Sequence, residues 1–259
     1  MLQNLKRFFR SAILKSPRNQ TLFQFARTYV DHYLNDNNYD YLTNGELKAM
    51  RAAVPANGAV TAFDVGANIG EWTHSILEHN PAAVVHCFEP GTTAFAQLQA
   101  RNFPPQVVLN PIGMGDTRET RQFHVYSNSL LSSLYTGRVN DKGERVIDVQ
   151  IDTVDQYCAD HQIDQIDFLK IDVEGHDLPV LKGAARMLSE GRIAKAQFEY
   201  GRYWIYSRRF LRDVFEFAPQ VNCAIYKVMP SGLRRIDEYD LELERFRDSY
   251  YILRPRGVS

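Results

Sequence analysis

A carboxylate and a glycine turn stand together in Asp64-Val-Gly-Ala-Asn-Ile-Gly70. A β-rich run ends there and an amphipathic helical pattern begins, with Trp72, Ile76 and Leu77 on one face. Glycines let the backbone pass close to a ligand, and a helix N-terminus offers unpaired N–H groups. A dinucleotide fingerprint would need a third glycine two positions after Gly66. Asn68 stands there, which disfavours a nicotinamide dehydrogenase. An acid ahead of Gly-x-x-x-Gly instead suits a ligand with an ammonium group and no pyrophosphate, and S-adenosylmethionine is such a ligand. The plainer alternative is a strand-turn-helix whose glycines serve packing alone.

A second acid sits at the right place to narrow this choice. The apolar run 84–88 ends at Glu89-Pro90. An acidic residue at the tip of the second strand, about 20 residues past the glycine turn, takes ribose hydroxyls through its two oxygens. A third constellation is Lys170-Ile-Asp172-Val-Glu174-Gly175-His176. Asp172 closes a strand pattern, and Glu174 and His176 follow two and four residues on, spacing that lets them share one side. Two carboxylates and an imidazole can orient and deprotonate a hydroxyl. Asp172, Glu174 and His176 are therefore the expected catalytic residues. They would alternatively ligate a divalent ion, but no spacing typical of a metal site occurs, and none is expected. Glu174 or His176 would otherwise simply cap a helix beginning near Asp177.

These groups need a scaffold that brings them together. The patterns predict strands at 60–65, 84–88, 106–109, 166–171 and 194–199, alternating with helices at 71–79, 92–102, 152–160, 178–188 and 208–218. Such alternation argues a parallel sheet with helices on both faces. Asp152 is the expected cap of the 152–160 helix. Residues 121–126 and 146–151 read as additional strands around a polar loop. Residues 223–228 and 249–253 read as a closing antiparallel pair. Ahead of all this, residues 19–34 carry one apolar stripe with Asn19 as cap, and a shorter helix follows around Leu47, Met50 and Val54. Ligands of open α/β sheets bind beyond the carboxyl ends of the strands, where strand order reverses. That rule gathers residues 64–70, Glu89, residues 172–176 and Glu199 in one crevice.

At this point the chain resembles the FkbM-type S-adenosylmethionine-dependent methyltransferases. The likeness runs through Phe63-Asp-Val-Gly-Ala-Asn-Ile-Gly70, Phe88-Glu-Pro90, Asn128-Ser-Leu-Leu-Ser-Ser-Leu134 and Val149-Gln-Ile-Asp-Thr-Val154. It continues through Phe168-Leu-Lys-Ile-Asp-Val-Glu-Gly175 and Val180-Leu-Lys-Gly-Ala184, in matching order and spacing. The resemblance implies an α/β class I methyltransferase fold: a Rossmann-like, mostly parallel sheet with helices on both faces and antiparallel C-terminal strands. Residues 1–56 would be a helical N-terminal extension and 57–259 the methyltransferase domain. It further implies O-methylation, often of sugar or polyketide hydroxyls, and that Asp64, Gly66, Asn68, Gly70 and Glu89 hold S-adenosylmethionine. It supplies no agreed catalytic set, so Asp172, Glu174 and His176 rest on the crevice argument.

Composition sets outer limits. The chain has 259 residues, 44% hydrophobic and 24% charged, enough for one α/β domain plus an extension. A net charge of −1 gives no sign of a nucleic-acid binder. Cys87, Cys158 and Cys223 lack metal or redox spacing and each lies in an apolar pattern, so reduced, inert thiols and a cytoplasmic protein are expected. Residues 1–18 carry Lys6, Arg7, Arg10, Lys15 and Arg18 without an acid, and lack the unbroken apolar core of a signal peptide. With Leu5, Phe8, Phe9 and Leu14 they suggest weak contact with a membrane surface, or equally a helix packed on its own domain.

The expected substrate is a sugar hydroxyl of a glycan or glycolipid precursor. Tyr200, Tyr203, Trp204 and Tyr206 offer faces for a pyranose, Arg202, Arg208 and Arg209 could hold a phosphate or uronate, and the 128–133 loop could add hydroxyl contacts. Core packing of the aromatics is the competing view. A methyltransferase acting on nitrogen or on a small secondary metabolite, and a non-enzymatic partner module, remain the alternatives.

Overall fold

The computed structural model describes residues 2–15, 19–126, 132–135 and 145–257. Two helices lead, α1 (Leu2–Lys15) and α2 (Gln20–Leu34). Asn19 caps α2 by accepting from the Leu22 N–H, as its residue type predicts. No described side chain of α2 is buried, and Leu22, Phe25, Tyr29 and Tyr33 all face solvent. Leu5, Phe8 and Ile13 of α1 do too, so this helix is not packed on the domain through them.

The third helix, α3 (Glu46–Ala53), behaves differently. Met50 and the following Val54 are fully buried against the central sheet, beside Val60, Ala62 and Ile76. The segment before α3 is fastened to the sheet by polar bonds. Asn35 Nδ2 donates to the carbonyls of Asn44 and Val228, and Lys227 pairs with Asp36 in the interior.

The α/β alternation follows: β1 (Thr61–Val65), α4 (Glu71–His79), β2 (Val84–Phe88), α5 (Thr92–Ala100) and β3 (Val107–Asn110). Then come β4 (Gly113–Met114), β5 (Glu119–Val125), β6 (Arg145–Asp152), α6 (Val154–Asp160) and β7 (Phe168–Ile171). The chain continues with α7 (Asp177–Gly183), α8 (Ala185–Ser189), β8 (Ala196–Tyr200), α9 (Trp204–Ser207) and α10 (Leu211–Phe217). It closes with β9 (Cys223–Met229), β10 (Gly232–Ile236) and β11 (Ser249–Pro255).

One 8-stranded sheet has the order β10-β9-β11-β8-β7-β1-β2-β3. β3, β2, β1, β7 and β8 run parallel, and β11 is antiparallel to both β8 and β9. β1, β2, β7 and β8 are covered on both faces, which explains their apolar runs, while the edge strand β3 stays partly exposed. Phe63, Val65, Leu169 and Ile171 enter one core cluster while Ala62, Val85 and Phe168 enter the other. Strand order reverses between β1 and β7, and the crevice opens there, at the carboxyl ends. A 3-stranded sheet, β4-β6-β5, stands beside it.

Several boundaries differ from the sequence patterns for local reasons. The expected 178–188 helix is two, because Ala184 leaves helical geometry where Gly183 packs against the Gly115 carbonyl. Thr153, not Asp152, caps α6 by accepting from Gln156 N–H. Asp152 is engaged by Arg118 instead. The expected 208–218 helix starts at Leu211, since Arg208 at φ 55 ends the short α9 before it. Ile166 makes only an isolated bridge with Ile193, so β7 begins later than its apolar run. The hairpin partner β10 carries too little apolar alternation to stand out in the sequence.

Candidate active site

A cavity of about 670 Å³ occupies the crevice. Gly66, Asn68, Phe88, Glu89, Asp172, Glu174, His176 and Glu199 lie on its wall. The fold thus brings Gly66, Asn68, Glu89 and the three expected catalytic residues to one space. Asp64 and Gly70 do not reach that wall and lie behind it.

The glycine turn follows from backbone sterics. Gly66 (φ +83) and Gly70 (φ +81) take left-handed conformations, and Asn68 joins them at φ 46. A β-carbon on Gly66 would stand 1.9 Å from the Asp172 carbonyl oxygen, so the turn and the acidic loop touch there. The N–H groups of Gly66 and Ala67 donate to the Phe88 carbonyl, tying the turn to the end of β2. Glu89 is held by two backbone donors, Asn68 N–H to Oε2 at 2.9 Å and Gly91 N–H to Oε1 at 2.7 Å. Burial pushes its pKa up to about 7 against the pull of those two donors. Asp64 accepts from the Thr73 hydroxyl at 2.7 Å through Oδ2, while its buried Oδ1 has no hydrogen-bond partner among the described residues. Burial raises its pKa too, opposed by nearby Lys170.

The other half of the cavity is acidic. Asp172 follows β7 and accepts from Lys170 Nζ at 2.9 Å. Burial opposes the charge of that ammonium, but Asp172, Asp64 and Glu46 outweigh it and hold Lys170 protonated. Glu46 arrives from α3, accepting from Asn44 Nδ2 at 2.7 Å and Gln197 Nε2 at 2.6 Å. Its burial pushes its pKa up to about 7. Glu174 (φ 55) and Gly175 (φ 93) form a left-handed pair that turns the chain into α7. Glu199 ends β8 beside Asp172, with its carboxyl raised well above the usual range by burial, then by Asp172, Glu174, Asp248 and Asp177.

His176 holds the N-cap position of α7, yet its side chain makes no cap bond. It is buried, and its Nδ1 meets the Tyr135 hydroxyl at 2.7 Å. Arg209 Nη1 donates to that same hydroxyl at 2.6 Å, which leaves the Tyr135 proton for Nδ1 and places the ring proton on Nε2. Burial, then Arg121 and Arg209, lowers the His176 pKa to about 3. The imidazole is neutral at physiological pH.

The aromatic segment divides. Tyr200 and Trp204 are core residues, with the Tyr200 hydroxyl donating to Glu244 and Trp204 Nε1 donating to the Glu199 carbonyl. They offer no face to a ligand, because β8 and β11 enclose them with Phe198 and Tyr251. Tyr203 does line the cavity. Arg202 is paired with the Asp248 carboxylate and donates to Tyr39, whereas Arg209 donates to the neutral Tyr135 hydroxyl and keeps its charge. Of the 128–133 loop, residues 128–131 lie outside the described residues, and Ser132 lines the cavity.

Sequence reasoning missed Glu46, Tyr39, Asp248 and Tyr250, all of which line the cavity. Glu46 lies in the stretch Thr43-Asn-Gly-Glu46, but its place on the cavity, like that of Tyr39, Asp248 and Tyr250, is set only by tertiary pairing. Among the described residues, no group of three or more His, Cys, Asp or Glu is arranged to hold a metal. No helix among them is long and apolar enough to cross a membrane.

A parallel sheet reversing beside a glycine turn, closed by an inserted antiparallel strand, is the architecture of class I methyltransferase domains. The family profile described as the methyltransferase FkbM domain matches residues 64–221, and the chain belongs to this family. The chain is 27% identical over 165 residues to the 31-O-demethyl-FK506 methyltransferase FkbM of Streptomyces tacrolimicus, covering 52% of this chain and 63% of that protein. The match therefore spans less than two thirds of that relative. Among solved structures, methyltransferase FkbM from Methylobacillus flagellatus KT superposes with a TM-score of 0.47 at 18% identity, over 78% of this chain and 45% of its own. Precorrin-6y C5,15-methyltransferase from Geobacter metallireducens GS-15 gives 0.42 at 9% identity, over 80% and 87%.

Proposed function

We propose that this protein transfers a methyl group from S-adenosylmethionine to a hydroxyl oxygen, with a sugar of a glycan or glycolipid precursor as acceptor. The observation that carries this reading is the junction at Asp172. There a glycine turn with a buried ribose-type acid, Glu89, adjoins a wall of carboxylates from separate strands. The name of the Streptomyces relative also describes O-methylation.

The residues present fit the cofactor. Each Glu89 oxygen accepts one backbone N–H, and its second lone pair suits a ribose hydroxyl. The tight turn lets backbone approach a ligand. Asp64, buried behind the wall beside the Lys170 ammonium, supports the turn from below rather than touching the ligand. Phe88, Met114, Phe123 and Ile151 supply apolar wall suited to a purine. When bound, the cofactor supplies an electrophilic methyl carbon on a sulfonium. The chain must then hold an acceptor oxygen in line with that carbon and remove its proton. Asp172, anchored by Lys170, is placed to orient the hydroxyl. Three free, buried thiols agree with a reducing, cytoplasmic setting.

Calorimetry with S-adenosylhomocysteine tests the reading. The wild-type protein should bind it in preference to NAD. Glu89→Ala should weaken it by about 1.5–3 kcal/mol, roughly tenfold to a hundredfold, the cost of losing a charged hydrogen bond. Tighter binding of NAD, or equal affinity in the variant, would remove the cofactor assignment.

A further inference from the structure

We propose that Glu199 is the general base of this site, and that the hydroxyl it deprotonates belongs to an uncharged sugar ring. The inference rests on the methyl-transfer reading above. Glu199 stands at the carboxyl end of β8, one strand from Asp172 and in register with Tyr250 across β11. Both flanking side chains line the same cavity as Glu199.

Its commitments set it apart. Asp172 is bound to Lys170, Glu46 to Asn44 and Gln197, Glu89 to two backbone N–H groups, and Asp248 to Arg202 and Tyr39. Glu199 uses its own N–H and carbonyl, donating to Asp177 and accepting from Trp204, but among the described residues no donor reaches its carboxyl. A half-buried carboxyl on a cavity wall with no protein donor is left to meet a ligand donor. Burial beside like charges also raises its proton affinity, while the Asp172 carboxylate is already engaged by the Lys170 ammonium.

The step balances without a further reactant. The acceptor oxygen bonds to the methyl carbon as the carbon–sulfur bond breaks, and that electron pair stays on sulfur, leaving a neutral thioether. The hydroxyl proton passes to the Glu199 carboxylate and then to solvent. The same wall sets the substrate class. Glu46, Asp172, Glu174, Glu199 and Asp248 outnumber the cations here, and Lys170 and Arg202 are already paired. Such a lobe accepts hydrogen-bond donors and repels an anionic ring.

The experiment uses the whole chain, methyl-labelled S-adenosylmethionine and a cell-envelope glycan extract as acceptor. Glu199→Gln should lower kcat by about a hundredfold to ten-thousandfold. Its affinity for S-adenosylhomocysteine should stay within about twofold of wild type, and its Tm should not fall, because a half-buried carboxyl without a protein donor is replaced by an uncharged amide of the same shape. Glu199→Ala should regain turnover on adding formate, a recovery that a structural role would not give. After hydrolysis, the wild-type label should appear in neutral sugars. Near wild-type kcat in Glu199→Gln, or no formate rescue of a folded Glu199→Ala, would overturn the base assignment. Label in uronic acids would overturn the acceptor class. Failure of the wild-type protein to bind S-adenosylhomocysteine would instead strike the parent reading.

Discussion

The glycine turn and the acidic wall meet at one carbonyl, that of Asp172, yet they are made of different material. The turn is local backbone: Gly66, Asn68 and Gly70 in left-handed conformations, with Glu89 fixed by N–H groups. The wall is side chains gathered from α3, β7, β8 and the start of β11. A local backbone device tolerates almost no substitution and governs whether a ligand binds. An assembled wall tolerates shape-preserving changes and governs what happens to the ligand. Changes in the first half should therefore appear in stability and affinity, and changes in the second in turnover.

The largest effect belongs to the junction itself. Gly66→Ala puts a β-carbon 1.9 Å from the Asp172 carbonyl oxygen at φ +83, where an L-residue is already strained. Neither partner is a flexible side chain, so the backbone must move. A loss of about 4 kcal/mol or more in urea unfolding is expected, with S-adenosylhomocysteine binding lost as well. A variant with wild-type stability would show that the two halves are not locked together, and the comparison would break.

That difference in material also explains what could be read from the chain. The turn, Glu89 and the strand-end position of Asp172 were legible because each is written in consecutive residues of fixed geometric meaning. The parallel strands were legible for the same reason, their apolar runs reflecting burial on both faces. Asp248 carries no such mark, and Glu46, although part of Thr43-Asn-Gly-Glu46, has nothing in its neighbours that points it to the cavity. Their role comes from Gln197 and Arg202, partners more than 40 residues away in sequence. Tyr200 and Trp204 misled because an aromatic run beside a strand end looks the same whether it faces a cavity or the core. Burial by β11 decides that, and β11 lies about 50 residues on.

The second effect separates the halves by pH. Burial raises the Glu89 pKa to about 7, so in the ligand-free protein much of it is protonated below neutrality. Ribose hydroxyls would donate to the ionised form, so binding draws the group toward its carboxylate. The sign follows: S-adenosylhomocysteine affinity should be flat above pH about 8 and fall as pH drops through 7, approaching roughly tenfold per unit. Calorimetry from pH 5.5 to 8.5 reads this directly. Glu89→Gln should lose the slope, because its amide does not titrate. A slope that survives in that variant would move the titrating group out of the cofactor half.

The smallest effect on turnover is expected at His176, although it follows Asp172 and Glu174 closely in sequence. Its Nδ1 lone pair is taken by the Tyr135 hydroxyl, and a pKa near 3 keeps the ring neutral across the working range. With its proton on Nε2, this imidazole has no basic site to offer. It acts as a wedge that holds Tyr135 and, through it, Arg209. His176→Asn keeps an acceptor near the position of Nδ1 while deleting the rest of the ring. Turnover should stay within about tenfold of wild type, while thermal unfolding reports a loss of about 1–3 kcal/mol from the shortened buried side chain. A collapse of kcat with unchanged stability would mean that the imidazole handles the proton. Glu199 would then share or yield that task, and the division between a wall that supports and a wall that reacts would have to be redrawn at His176.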